Sequence, residues 1–314
     1  MVTKLDSDMA EKRKEPLLTK HNLARIFTRI FYPLLNLAFR PLTKKHLTVF
    51  LFHEVTDSPS KFQKQALNYT STRNFYNCID WILKNYEILS INQLTTERKS
   101  RRKPLAVLTF DDAWRGQFSA IKKVTTGRKL PIAYFINMGT VQSRIDVAAL
   151  KTFYAESTPN FYELISKGNQ FRTIDNTFLD WQGELIQDHE VQELLGNSLV
   201  TIGNHGYHHY SSAELTTKEF VQNVELNEQK IYTLKTNSKY FAFPFGRPFL
   251  DFTIEQVSIL DKRGYKLVFA ADSKLNKVSQ KDAMYISRVH FAPSDKRSSD
   301  FWWATNKSIF MKKA

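Results

Sequence analysis

The sequence predicts a mostly parallel α/β fold, either a barrel or an open sheet, with helices packed around it. Two apolar runs, at residues 105–110 (LAVLTF) and 131–136 (PIAYFI), are typical of strands that are buried on both faces. Strand-like and helix-like segments alternate along most of the chain, which is the pattern of parallel strands joined by helical crossovers. The length of 314 residues suits one large domain of this class with additional segments.

The individual elements follow from hydrophobic periodicity and from signals at helix ends. Residues 47–53 (LTVFLFH) form the first expected strand, residues 71–85 a helix, and residues 86–91 the next short strand. Thr216 and Glu219 fit a capping box, which starts a helix that continues to about Leu234. Further strands are expected at residues 199–203, 240–243, 265–270 and 285–291, and a further helix at residues 254–263.

Composition divides the chain into three regions. Residues 1–46 form a basic leader, of which residues 1–20 lack apolar periodicity and are expected to be disordered. Its amphipathic segment, residues 26–39, is too short to span a bilayer and does not fit a signal peptide. We expect it either to lie flat on an anionic membrane surface or to pack against the domain. Residues 47–293 form the main domain, with an insertion at residues 139–195 that would cover the site, and residues 294–314 form a C-terminal tail.

Charge and cysteine content limit the possible partners. The net charge is +14, and the leader alone carries ten Lys or Arg against four Asp or Glu. A second basic cluster lies at residues 98–103 (RKSRRK). Such charge favours lipid surfaces or phosphorylated sugar carriers, or it forms a solvated face that aids solubility. No nucleic-acid motif is recognised, so we expect no nucleic-acid partner. Cys78 is the single cysteine, which excludes a disulfide framework.

Polar side chains that suit metal chemistry follow two of the expected strands. Asp111 and Asp112 come directly after residues 105–110, and His205 and His209 come after residues 199–203. In parallel α/β folds the site lies at the carboxyl ends of the strands. If the turn at 205–209 is helical, both imidazoles project from one face and can bind one ion. Zn²⁺ accepts two His and one carboxylate, and the remaining carboxylate is then available as a general base.

Five short motifs resemble those of one known family. TFDD at residues 109–112 resembles its TFDDG motif, and HGYHH at residues 205–209 resembles its HSxxH or HTxxH motif. FHEV at residues 52–55, AFPFG at residues 242–246 and SRVH at residues 287–290 are similar to its YHxV, AYPYG and final motifs. From about residue 47 to residue 292 the chain therefore resembles the polysaccharide deacetylases, also called NodB-homology or carbohydrate esterase family 4 proteins. The resemblance implies a distorted (β/α) barrel with fewer than eight complete units.

The resemblance also implies a role for each matching residue. Asp112, His205 and His209 would hold a divalent metal, expected to be Zn²⁺, while Asp111 would be the general base and His290 would protonate the leaving amine. Oxyanion or substrate contacts are expected from the Phe245 N–H, from Arg288 and from His53, although His53 also fits a hydrogen-bonded core histidine and Arg288 a structural ion pair.

Two departures from the family pattern raise their own expectations. Many members have an arginine that pairs with the base, and the matching position here is Ala242. Arg247 or Arg288 is expected to supply that charge instead. Arg288 itself stands where the family has leucine, and Asp272 is expected to orient His290.

The expected function is metal-dependent removal of an N-acetyl group from a sugar, in a cell-envelope glycan or its lipid-linked precursor. The protein is expected in the cytoplasm, peripheral on the inner face of the membrane, because no export signal is recognised. The alternative is a catalytically silent relative that binds glycan or membrane, which the substitutions at Ala242 and Arg288 favour.

Overall fold

A computed structural model describes residues 20–95, 103–153, 176–233, 239–277 and 284–310. Its central sheet contains nine strands among these residues, and a separate small sheet contains two. The strands are β1 (His46–Phe52), β2 (Glu54–Val55), β3 (Tyr69–Thr70), β4 (Glu87–Ile88), β5 (Leu105–Asp111), β6 (Ile132–Ile136), β7 (Val200–Asn204), β8 (Tyr240–Ala242), β9 (Leu267–Phe269), β10 (Asn276–Lys277) and β11 (Val289–His290).

Helices connect and cover these strands. They are α1 (Lys20–Thr43), α2 (Lys61–Ala66), α3 (Thr72–Asn85), α4 (Arg115–Arg128), α5 (Met138–Ser143), α6 (Val147–Phe153), α7 (Asn176–Gln182), α8 (Asp188–Leu195), α9 (Thr217–Thr233), α10 (Ile254–Lys262) and α11 (Ser298–Phe310). The predicted capping box is present before α9, where the Thr216 backbone N–H donates to Glu219 and the Glu219 N–H donates to the Thr216 hydroxyl. No helix in the described ranges is both long and apolar enough to cross a membrane.

The main strands are parallel and follow the order β1-β5-β6-β7-β8-β9. The sheet then curls back on itself, because Ile286 forms a bridge with Phe269 of β9 and β11 pairs in parallel with β1. This closure confirms the predicted distorted barrel. β4 pairs in parallel with β5, and β10 lies antiparallel on β1.

The apolar runs of the sequence become strands because the sheet has a core on each face. Along β1, Leu47 and Val49 point into the barrel interior, whereas Phe50 and Phe52 belong to the layer between sheet and helices. All seven residues of β5 are buried. A strand buried on both faces has no need of polar alternation, which explains the continuous apolar run at residues 105–110.

The first and last described helices, α1 and α11, pack together on one side of the barrel. α1 contacts α11 and β1, with the Phe39 and Trp302 ring centroids 5.8 Å apart. Arg25 and Arg29 of α1 form ion pairs with Asp295 and Asp300, respectively. One face of the leader therefore packs against the domain. Residues 1–19, most of the basic cluster at 98–103, and residues 154–175 of the expected insertion lie outside the described residues.

Candidate active site

A cavity of about 650 Å³ opens at the carboxyl ends of the strands, where the sequence predicts the site. Six predicted side chains line it: Asp111, Asp112, His205, His209, His53 and His290. They arrive from β5, from the loop after β7, and from the ends of β1 and β11. Residues separated by more than 200 positions in sequence thus meet in one cavity.

Asp112 is held in a conformation that aims one carboxylate oxygen at the two histidines. Its φ of 77° lies in the left-handed region, which is uncommon for a residue with a Cβ. The Trp114 indole N–H donates to Asp112 Oδ2 at 2.9 Å. The other oxygen, Oδ1, lies 3.4 Å from His205 Nε2 and 3.1 Å from His209 Nε2.

The segment that carries His205 and His209 is a loop, so the helical turn that the sequence left open as a condition is not formed. Asn223 of α9 shapes this loop, because its Oδ1 accepts hydrogen bonds from the backbone N–H groups of Tyr207 and His208. Gly206 has a φ of +75°, and an added Cβ would lie 2.7 Å from the Asn223 amide nitrogen. At the position where the HSxxH or HTxxH motif has serine or threonine, this turn therefore favours the glycine that the chain has, Gly206. The two imidazoles still converge, with ring centroids 5.5 Å apart.

The donor set fits a divalent metal ion. One ligand atom from each of Asp112, His205 and His209 lies within 4.8 Å of the other two, and all three side chains are buried. His205 Nδ1 lies 2.7 Å from the Ala242 carbonyl oxygen, and His209 Nδ1 lies 2.8 Å from Asp146 Oδ2. Such acceptors fix the tautomer so that each Nε2 offers its lone pair to an ion. Two histidines and one carboxylate leave open coordination positions, as catalytic zinc sites require.

Sequence reasoning missed two of the groups that orient these ligands. Trp114 follows the aspartate pair by two residues, and Asp146 lies in the segment interpreted as an insertion. Neither belongs to a motif with the ligands, so only the folded arrangement reveals them. Asp146 also accepts from the Ala149 N–H in the first turn of α6.

The electrostatics of the three ligands favour a bound cation. Burial alone would raise the pKa of the Asp112 carboxyl, but His209, His205 and His53 outweigh it and hold that pKa below its usual range. Burial alone would lower the pKa of His209, but Asp146 and Asp112 raise it to about 9. The carboxylates thus create a negative potential that either protons or a metal ion can neutralise.

Asp111 forms a buried ion pair with Arg288. The guanidinium donates from Nη1 to Oδ1 and from Nη2 to Oδ2, both at 2.6 Å. Arg288 Nε donates to the Ala270 carbonyl oxygen at 2.9 Å. A bidentate pair of this kind fixes the plane of the carboxylate. Asp111 Oδ2 also lies 3.8 Å from His205 Nε2, so the paired carboxylate borders the ligand cluster.

The profile of the polysaccharide deacetylase family matches residues 98–268, which is more than half of the chain. The chain belongs to the polysaccharide deacetylase family. This membership supports a carbohydrate deacetylase, a hydrolase that removes an acyl group from a sugar. A search of curated proteins finds no match.

Solved structures share the fold of this family member at low sequence identity. IcaB from Ammonifex degensii is 19% identical with a TM-score of 0.59, over 83% of this chain and 97% of that one. A Streptococcus pyogenes deacetylase, PplD, in complex with acetate is 11% identical with a TM-score of 0.58, over 83% and 98%. A de-N-acetylase from Aggregatibacter actinomycetemcomitans is 15% identical with a TM-score of 0.57, over 81% and 98%. Identities this low show a shared fold alone.

Within this deacetylase, Arg288 supplies the charge that is missing at Ala242. Arg288 has no exposed surface and does not line the cavity, so the structure contradicts the expectation that it contacts substrate or oxyanion. Arg247, the other candidate, pairs with Asp251 at 2.7 Å. For Arg288, the geometry therefore shows the other alternative, a structural ion pair.

His290 and Phe245, which the sequence predicts as proton donor and oxyanion donor, also have definite positions in the structure. His290 is exposed at the rim, and its Nδ1 lies 3.4 Å from the Ser273 hydroxyl. The pKa of His290 is lowered, chiefly because the surrounding protein desolvates its ring and also because of the neighbouring His53. Asp272 pairs with Lys274 at 2.6 Å, and no hydrogen bond joins Asp272 to His290 among the described residues, so the expected orienting contact is absent there.

Phe245 occupies a strained position beside the ligands. Its φ is 60°, and its ring stacks on His209 with centroids 5.1 Å apart and planes 6° from parallel. Its backbone N–H has no hydrogen-bond partner among the described residues. The left-handed backbone thus leaves one N–H free beside the cavity, as an oxyanion donor requires.

Proposed function

We propose that this chain is a metal-dependent N-deacetylase of sugars, with Zn²⁺ as its ion. The observation that carries the proposal is that two adjacent aspartates have different surroundings. Asp112 faces the two histidines, whereas Asp111 is held by Arg288 and stays outside the ligand set. A bound divalent ion would polarise the acyl carbonyl and make an adjacent water more acidic.

The side chains of the cavity then divide the proton transfers. Asp111 takes a proton from the attacking water, and the Arg288 pair keeps its carboxylate in one orientation for that step. The Phe245 N–H donates to the oxygen that becomes negative as water adds to the carbonyl carbon. His290 gives a proton to the nitrogen, the carbon–nitrogen bond breaks, and acetate and a sugar amine leave. His53 lies in the same cavity, where we assign it a substrate contact.

The lining of the cavity supports a sugar as substrate. Aromatic rings of Phe62, Tyr69, Phe245 and Phe291 alternate there with polar side chains. Flat apolar faces beside hydrogen-bonding groups suit a pyranose ring, which has both kinds of surface. We propose a cell-envelope glycan or its lipid-linked precursor as the natural substrate.

The test combines metal content with turnover. Purified protein and a His205→Ala/His209→Ala variant are analysed for bound metal, and acetate release from N-acetylglucosamine oligomers is measured on both. We expect about one ion per chain with acetate release, and the loss of both in the variant. Asp111→Asn should retain the metal and lose turnover. Metal without acetate release on any N-acetylated glycan would favour the catalytically silent alternative, and the lack of metal in protein purified without chelator would refute the proposal.

A further inference from the structure

Helix α1 has two apolar faces, and only one of them packs against the part of the chain that the structure describes. The inner face places Tyr32, Leu35 and Phe39 against the core, and the Trp81 indole N–H donates to the Tyr32 hydroxyl at 3.0 Å. The opposite face exposes a continuous series of large apolar side chains, which we call the outer face of α1. Its members are Leu23, Ile26, Phe27, Ile30, Phe31, Leu34, Leu37 and Leu42.

The outer face is an unusual concentration of apolar surface. It holds eight of the fifteen large apolar side chains that are exposed in the described part of the chain. Ile30, Leu34 and Leu37 are 67%, 66% and 69% exposed. A helix of 24 residues is about 36 Å long, so this stripe extends along a whole side of the molecule. Contiguous apolar surface of this size marks an interaction site rather than ordinary surface.

The charge around the outer face identifies its partner. Residues 20–43 contain no Asp or Glu, and Arg40, Lys44 and Lys45 lie at the C-terminal end of the stripe. Arg25 and Arg29, on the sides of the helix, are neutralised by Asp295 and Asp300. An apolar stripe beside basic residues that form no ion pair within the described ranges complements an anionic lipid surface. A second copy of this chain would instead bring its own net charge of +14 towards the same positive surface.

We infer that α1 docks the protein on an anionic bilayer, with the outer face buried among the lipid headgroups and upper acyl chains. The helix lies in the membrane plane, because its inner face is committed to the protein core and no described helix is apolar enough to span. This inference does not depend on the chemistry of the cavity, because it rests on α1 and its charges alone.

Docking of α1 also orients the cavity, a step that rests on the proposed function. Arg25, near the start of α1, contacts Asp295, which follows the cavity residue His290 by five positions. The end of α1 leads into the first residues of β1, at the opposite end of the barrel. The N-terminal half of α1 thus lies at the cavity end, and docking places the cavity beside the headgroup layer, within reach of a lipid-linked sugar.

Vesicle flotation of the full chain tests the docking. Vesicles contain phosphatidylcholine alone or phosphatidylcholine with about 30% phosphatidylglycerol, and the variant is Ile30→Gln/Leu34→Gln/Leu37→Gln. Burying one such side chain is worth roughly a factor of ten in partitioning, so the triple variant should bind anionic vesicles at least about 100-fold more weakly. The matched control, Tyr232→Gln/Leu250→Gln/Met284→Gln, removes equally exposed apolar groups elsewhere and should bind like wild type. Binding should weaken between 0.1 and 0.5 M salt.

A single-site label measures the insertion directly. Cys78 is buried, so a dye on Ile30→Cys reports that position alone, and its emission should shift to the blue with anionic vesicles. The same dye on Tyr232→Cys should not respond. Wild type that fails to bind anionic vesicles overturns the inference. The inference would also be overturned, in favour of a second copy as the partner, if the wild type sediments as a dimer, the triple substitution dissociates that dimer, and no vesicle binding is seen. The triple variant should release acetate from soluble oligomers as wild type does. This measurement distinguishes a failure of membrane docking from a failure of the proposed chemistry.

Discussion

Replacement of Arg288 by methionine should destabilise the protein and impair turnover together. Arg288 is fully buried, and its guanidinium lies over the rings of Phe135 and Phe269, 5.5 and 5.9 Å from their centroids. Methionine keeps much of the side-chain volume between these rings and removes the charge. The Asp111 carboxylate then stays buried without its partner, which is the costly way to break an ion pair.

The expected cost can be worked from the geometry. Unit charges about 4 Å apart attract by about 4 kcal/mol at an effective dielectric constant near 20. Removal of one partner of a buried pair typically costs about 3–5 kcal/mol. The two 2.6 Å hydrogen bonds and the near-complete burial of both groups place this pair in that class. We therefore expect Arg288→Met to lower the free energy of unfolding by about 3–5 kcal/mol.

Urea unfolding of metal-stripped protein measures this cost, because bound metal would add its own stabilisation. The variants are Arg288→Met, Asp111→Asn and the double variant Asp111→Asn/Arg288→Met. The double variant removes both charges and should recover at least about 1 kcal/mol relative to Arg288→Met. If Arg288→Met loses less than about 1 kcal/mol and keeps the wild-type kcat, the ion pair neither stabilises the site nor positions Asp111. If the double variant recovers nothing, the cost arises from packing and not from charge.

Three further predictions follow from other contacts of the site. Asp146→Asn should weaken metal binding by about 10- to 100-fold, because it removes the carboxylate that orients His209. Competition with a chelator measures the affinity, and an unchanged affinity would contradict this role. Burial raises the pKa of Glu54 from 4.5 to about 8, so the folded protein loses stability as pH rises through this range and the buried carboxyl ionises. Glu54→Gln keeps the acceptor for the Gly116 N–H and cannot ionise. In metal-stripped protein this variant should be more stable than wild type by a few kcal/mol at pH 8 and equal to it near pH 4.5. His290→Gln should lower kcat by about 10²- to 10⁴-fold and His53→Gln mainly raise KM, and the reverse pattern would transfer the role of acid to His53.

The sequence allowed most strands and the meeting of Asp112, His205 and His209 to be predicted, because each depends on local patterns. The buried strand at residues 105–110 and the capping box at Thr216 follow from neighbours in the chain. The turn at 205–209 did not follow, because Asn223 of a later helix determines its shape. The roles of Trp114 and Asp146 could not be predicted either, since a hydrogen bond to a ligand needs only proximity in the folded chain and leaves no fixed spacing in sequence.

The exchange at Ala242 and Arg288 shows why a missing motif residue is weak evidence for loss of activity. Ala242 lies buried in the same apolar cluster as Phe135 and Phe269, the two rings that the Arg288 guanidinium covers. The positive partner of Asp111 is thus supplied by Arg288, which directly precedes β11 and lies 177 positions away in sequence. Arg288 directly precedes β11 and His290 ends it, so the positions of both side chains depend on this strand. In the proposed mechanism, correct closure of the sheet at β11 is then a condition for both proton transfers: a variant that loosened the pairing of Val289 and His290 with β1 would lose the orientation of Asp111 and the position of His290 in one step.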